Sequence, residues 1–120
     1  MKYRYRFPLP PPLNHQYQNN GRGGRVLTPE ARRWREQAQL IAKGFSPALN
    51  RTYSVLLWVT FPTWSWDIDS VIKNTLDSTF GSRFDHRVTS LVVRKSVGAD
   101  PHIGMLIVEH DAPPAHRGMQ

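Results

Sequence analysis

Tyr53, Val55, Leu57, Val59 and Phe61 alternate with Ser54, Leu56, Trp58 and Thr60, a two-residue repeat that predicts a strand. Apolar residues on both sides of the alternation point to a central position in a sheet. Pro62 ends its regular pairing. A second alternation opens the chain, setting Tyr3, Tyr5 and Phe7 against Lys2, Arg4 and Arg6. One aromatic face and one basic face read as a half-buried strand: an edge whose charges discourage aggregation, or a strand that touches DNA. The prolines between Pro8 and Pro12 stop it. Two more strands are expected over residues 88–95 and 103–109, linked by the turn Gly98-Ala99-Asp100-Pro101.

Helical spacing occurs twice. Thr28-Pro29-Glu30 combines a hydroxyl N-cap, a proline at the first helical position and an acid in the first turn. Ala31, Trp34, Ala38 and Ile41 then recur on one side and should face the core. Arg32, Arg35, Gln39 and Lys43 line another side, as a solvated surface or a track for phosphates. Gly44 should end that helix. A second helix is expected over residues 70–80, with Ile72, Leu76, Thr79 and Phe80 as its apolar stripe and Gly81 closing it. Asp69, Lys73 and Asp77 follow at four-residue intervals on a different side.

Residues 18–25, QNNGRGGR, read as a flexible loop whose Arg22 and Arg25 suit phosphate binding, although a purely solvated loop has the same composition. Together these elements predict an α/β protein of the α+β type, with a small mixed sheet of about four strands packed with two main helices. One domain over residues 1–110 is expected, followed by a disordered tail over 111–120, which holds two prolines and little to bury.

Composition narrows the partners. The 120 residues carry 16 Lys and Arg against 9 Asp and Glu, a formal charge of +7. Such a balance draws polyanions, nucleic acid above all. No apolar run approaches the roughly 18 residues of a membrane span. The opening MKYRYRFPLP lacks the apolar block of a signal peptide. The absence of cysteine excludes disulfides and thiolate metal sites. A cytoplasmic location agrees with all three observations. The five histidines show no metal-ligand spacing.

Within this basic chain, Asp67 and Asp69 follow Trp64 and Trp66 and precede Lys73. Carboxylates two residues apart on an extended segment point to the same side, with Ile68 turned into the core between them. Two such acids on a phosphate-attracting protein suit a hard cation, Mg2+. Asp85 completes a three-carboxylate site if the strand after it pairs near the end of the 53–61 strand. Lys73, one turn past Asp69, would offset charge developing on a phosphate, or form an ordinary intrahelical pair with Asp77 or Asp69. Of the two tryptophans, one is expected to cap the core and the other to stack on unpaired bases.

The order of these features resembles the RusA-type Holliday junction resolvases. The resemblance begins at Phe7-Pro8-Leu9-Pro10-Pro11-Pro12-Leu13-Asn14-His15-Gln16-Tyr17 and continues through the Thr28 helix and Phe61-Pro62. It is most specific in Asp67-Ile68-Asp69-Ser70-Val71-Ile72-Lys73, followed by Asp77 and Phe84-Asp85-His86-Arg87-Val88. That family usually reads D-x-D-N-x-x-K and then D-D-x-x-V, so Ser70 and Phe84 depart from it. The resemblance implies Asp67, Asp69 and Asp85 as metal-binding acids and Lys73 as the essential lysine. It also implies a two-fold homodimer that nicks a four-way DNA junction symmetrically, with no small-molecule cofactor. The competing expectations are a non-catalytic basic nucleic-acid-binding module using the arginines with Trp64 and Trp66, and an assembly protein whose charge serves protein contacts.

Overall fold

The computed structural model describes residues 1–12, 15–81 and 85–111. Six strands and two helices follow in the order β1 (Lys2–Phe7), β2 (Tyr17–Asn19), β3 (Arg25–Leu27), α1 (Pro29–Ile41), β4 (Arg51–Phe61), α2 (Asp69–Phe80), β5 (Val88–Val97) and β6 (His102–Asp111). A 3-10 turn, Asp85–Arg87, leads into β5. The main sheet has the order β1-β6-β4-β5, in which only the β4–β5 pair is parallel. The α+β class and the four-stranded mixed sheet therefore agree with the sequence expectation. β4 is central, as expected, and β1 is an edge, one of the two readings its alternation allowed.

Both helices lie on one face of the sheet. The core beneath them gathers Phe7, Trp34, Phe45, Tyr53, Leu57, Val59, Phe61, Val71, Phe80, Met105 and Ile107. Phe45 meets Tyr3, Tyr53 and Phe80 edge-on with ring centroids 4.8–5.5 Å apart, a geometry that aromatic quadrupoles favour. α1 starts as its sequence predicts: Thr28 Oγ1 accepts from the Ala31 N–H at 3.2 Å, and Pro29 occupies the first turn. It buries Ala31, Trp34 and Ala38, while Ile41 is only partly covered. The helix ends at Ala42, two residues before the expected Gly44.

Two expectations need correction. The stretch 18–25 is not simply a loop: Tyr17–Asn19 and Arg25–Leu27 pair as a small antiparallel hairpin. Its turn is made by Gly21 and Gly23, both at φ near +80°, which a side chain rarely adopts. The second correction concerns α2: Thr79 and Phe80 are buried as expected, but Val71, Thr75 and Ser78 share that buried side. Ile72 is half exposed and Leu76 packs only at the margin of the core. Thr79 Oγ1 reaches Met105 Sδ at 3.7 Å, so the helix sits close on the sheet and places small side chains there. The expected tail, apart from Asp111 at the end of β6, and Phe84 lie outside the described residues.

The chain reverses direction twice between β4 and β5. β4 ends at Phe61, α2 runs back, and its last residue Phe80 stacks edge-on against Tyr53, with centroids 5.3 Å apart. β5 then starts in register with Tyr53 and ends opposite Phe61. This is a strand–helix–strand crossover, the connection that parallel neighbours require.

Candidate functional site

Asp67 and Asp69 stand at the entrance to α2, beyond the Phe61 end of β4. The segment is a turn rather than an extended strand: Ile68 has φ −60° and ψ −36°, and Asp69 is already helical. Asp67 Oδ1 accepts the Asp69 N–H at 3.2 Å, and the Asp67 carbonyl accepts the Ser70 hydroxyl at 2.7 Å. Asp67 thus satisfies a first-turn amide that would otherwise lack a partner. Ser70 bonds the Asp67 backbone rather than a neighbouring carboxylate. Ile68 turns towards the core as expected and leaves both carboxyl groups exposed. Asp69 lies in the first turn, where the helix dipole favours a negative charge.

Asp67 opens into a cleft of about 690 Å³ with Pro12, His15, Tyr17, Arg25, Ser65, Trp66 and Ser70. The Arg25 guanidinium lies 5.2 Å from the Tyr17 ring centre, a cation–π pair that steadies the hairpin strands against each other. Arg22 caps the hairpin turn, its N–H donating to Asn20 Oδ1 at 2.8 Å. Arg32 and Arg35 sit on α1, outside this cleft; Arg32 Nη2 reaches the Leu27 carbonyl at 3.5 Å. A second hollow of about 470 Å³ lies between the prolines and α1, and there the cation is Arg33.

The tryptophans divide as expected in burial. Trp66 stacks on Phe61 with centroids 5.5 Å apart and an interplanar angle of 28°, whereas Trp64 is 68% exposed. Lys95 holds both ends of this turn, donating to the Trp64 carbonyl at 2.9 Å and the Trp66 carbonyl at 2.6 Å. Lys73 pairs with Asp77 at 3.3 Å, as an ordinary i,i+4 contact, and its side chain is 78% exposed.

The main chain of Asp85 lies apart from that of Asp67 and Asp69 within one chain, and the Asp85 side chain lies outside what the structure describes. That main chain precedes Val88, which is in register with Tyr53, whereas Asp67 follows Phe61 at the other end of β4. Eight strand residues separate those ends, roughly 26 Å at the usual rise. The expectation that the later strand would begin near the end of the 53–61 strand is therefore corrected. Among the described residues, no three His, Asp or Glu side chains form a metal-binding group.

Two polar residues that carry no periodic signal prove central to the site's frame. Gln16 is only 2% exposed; its Nε2 donates to the Pro11 carbonyl at 2.7 Å and its Oε1 accepts from Asn74 Nδ2 at 2.8 Å. Asn74 also donates to the Ser70 carbonyl at 2.8 Å. This clamp ties the proline segment to the first turns of α2. The motif Asn14-His15-Gln16-Tyr17 was the available signal, but burial of Gln16 is not visible in it.

Fit to Mg2+ is partial on these observations. Asp67 and Asp69 are exposed, adjacent and acidic, and magnesium is commonly held by one or two carboxylates with waters and substrate phosphate. Among the described residues no third carboxylate joins them. No protein-family model matches the chain, and no curated protein matches it.

Proposed function

We propose that this protein is a Mg2+-dependent, structure-selective endodeoxyribonuclease that nicks four-way DNA junctions in symmetric pairs. The observation that carries the reading is the pair of exposed carboxyl groups, Asp67, which lines a cleft that also holds Arg25 and His15, and Asp69 two residues further on. Asp67 and Asp69 would hold the ion, which supplies polarisation of a phosphate and a more acidic bound water. Arg25 and Arg22 lie on the hairpin beside the cleft and suit a DNA backbone. Exposed Trp64, on the same turn, offers a stacking surface to a base unpaired at a branch point. Lys73, one turn into α2, can swing from Asp77 towards a phosphate, because an exposed i,i+4 pair is worth only a few tenths of a kcal/mol. A branched duplex is the substrate that uses both features, phosphate contacts for position and an aromatic for the unstacked base.

A second reading, a basic nucleic-acid-binding module without catalysis, is favoured by the distance of the Asp85 main chain from the other acids. The two readings differ in one experiment. Incubating the protein with an immobile four-way junction and with linear duplex, each in Mg2+ or EDTA, should give paired nicks only in the junction with Mg2+. Binding with a steep salt dependence but no nick under any condition selects the module.

A further inference from the structure

The helices cover one face of the main sheet, and the residues that alternate with the core look out from the other. Residues paired across strands share a face, so the registers set these outward side chains in transverse rows. One row runs Val92, Leu56, Leu106, Arg4, and the next runs Arg94, Trp58, Gly104, Arg6.

Two properties of this open face occur together. Its centre is aliphatic and hollow: Leu56, Val92, Leu106 and Val108 line a depression of about 260 Å³, with Ser90 and Arg94 at its side. Val92 is 47% exposed there. The rows end in cations, with Lys2, Arg4 and Arg6 on β1 and Arg94 on β5, all exposed. Among the described residues, no strand position on this face holds an acid. Asp100, in the turn between β5 and β6, pairs with Arg6 at 2.6 Å. Both side chains of that pair are more than half exposed, so it is weak and open to exchange.

An apolar patch rimmed by charge marks a contact surface for a macromolecule. A second copy fits poorly, because a two-fold contact uses the same patch twice and would gather the cations of both copies around one apolar centre. A nucleic-acid strand would meet the cations, but its bases need flat aromatic faces. The one indole here, Trp58, is half-buried over Gly104, and the hollow beside it is aliphatic. An acidic peptide answers both properties, with carboxylates at the cations and an apolar side chain in the hollow. From β5 to β1 a row crosses three strand spacings, roughly 14 Å, which about four residues of extended chain would span.

We infer that the open face of the sheet docks an extended acidic segment of another protein, seating one large apolar side chain between Leu56, Val92 and Leu106. Asp67 and Asp69 enter α2, which packs on the other face, so this docking does not draw on the nuclease reading.

A fluorescein-labelled peptide of aspartates and glutamates around one phenylalanine is the probe, read by anisotropy in EDTA. The wild-type chain should bind it. A peptide with alanine in place of the phenylalanine should bind at least about tenfold more weakly, because the large side chain is what fills the hollow. Val92→Asp, at an exposed position, should abolish binding with the circular dichroism unchanged. Arg94→Glu should weaken it about tenfold at low salt. No binding, equal binding of the two peptides, or binding that survives Val92→Asp overturns the docking site. A labelled oligothymidine that binds the wild type and is lost in Val92→Asp makes the face a nucleic-acid platform and overturns the peptide. A doubled mass in solution that Val92→Asp returns to 13.8 kDa gives the face to a second copy and overturns it equally.

Discussion

Lys95 Nζ lies 2.6 Å from the carbonyl oxygen of Trp66, so the last third of β5 anchors the turn that delivers Asp67. A second donation to Trp64 fixes the other side of that turn. Hydrogen bonds from a charged donor contribute about 1.5–3 kcal/mol when shielded, and less where water competes. Lys95→Met keeps the stem and removes the donors. It should lower stability by about 1 kcal/mol in urea denaturation and junction nicking by about tenfold, because misplacing a reacting group costs more than the bond itself. Unchanged nicking would show that the turn holds its shape without Lys95.

Gly104 lies beneath the Trp58 indole on the sheet face away from the helices. A Cβ at position 104 would overlap that ring, and Gly104 is in register with Trp58. Gly104→Ala should therefore destabilise by about 1–3 kcal/mol, the usual cost of overpacking. Adding Trp58→Leu should return most of that loss, and the two-variant cycle would read a coupling of the same size. An additive pair would mean the indole moves aside freely.

The Tyr53 hydroxyl accepts the Ala48 N–H at 2.8 Å and donates to Glu109 Oε1 at 3.2 Å. Burial raises its pKa above the ordinary value, and the bond to Glu109 adds to that rise. Because the folded state holds the proton more tightly than the unfolded state, the stabilising contribution is complete below about pH 10 and declines as pH rises through the folded pKa. Urea midpoints between pH 8 and 11 should fall above pH 10, and absorbance at 295 nm should show late-titrating phenols, Tyr5 as well as Tyr53, since burial raises both. A Tyr53→Phe chain should lose one phenol's share of the late step and keep that of Tyr5.

Much of this fold was legible in order of residues, and the reasons are local. Thr28-Pro29-Glu30 set the start of α1 because cap, proline and acid act within a single turn. The period-two run from Tyr53 to Phe61 set β4 because its odd-numbered residues are buried under the helices while Ser54, Leu56, Trp58 and Thr60 stay half-buried on the other face. The β2–β3 hairpin escaped notice because three-residue strands are too short to alternate, so QNNGRGGR showed only its turn. In α2 Thr79 and Phe80 are buried as their spacing predicts, yet Val71, Thr75 and Ser78 take the contact expected of the larger Ile72 and Leu76.

The site divided along the same line. Asp67, Asp69 and the inward Ile68 lie within one turn, and their exposure followed from the alternation of types. The position of Asp85 depended on where a parallel strand begins after a helical crossover, and no side chain near residue 85 encodes that register. It is set by α2 running the length of β4, which places Phe80 on Tyr53.

The most direct test of the central claim is the response of Asp69 to loss of its charge at constant shape. Asp69→Asn should bind a four-way junction as tightly as the wild type or more so, because repulsion from phosphate falls, and should produce no nick in Mg2+. An Asp69→Asn protein that cleaves at the wild-type rate would contradict the assignment of Asp69, and with it the metal-dependent nuclease.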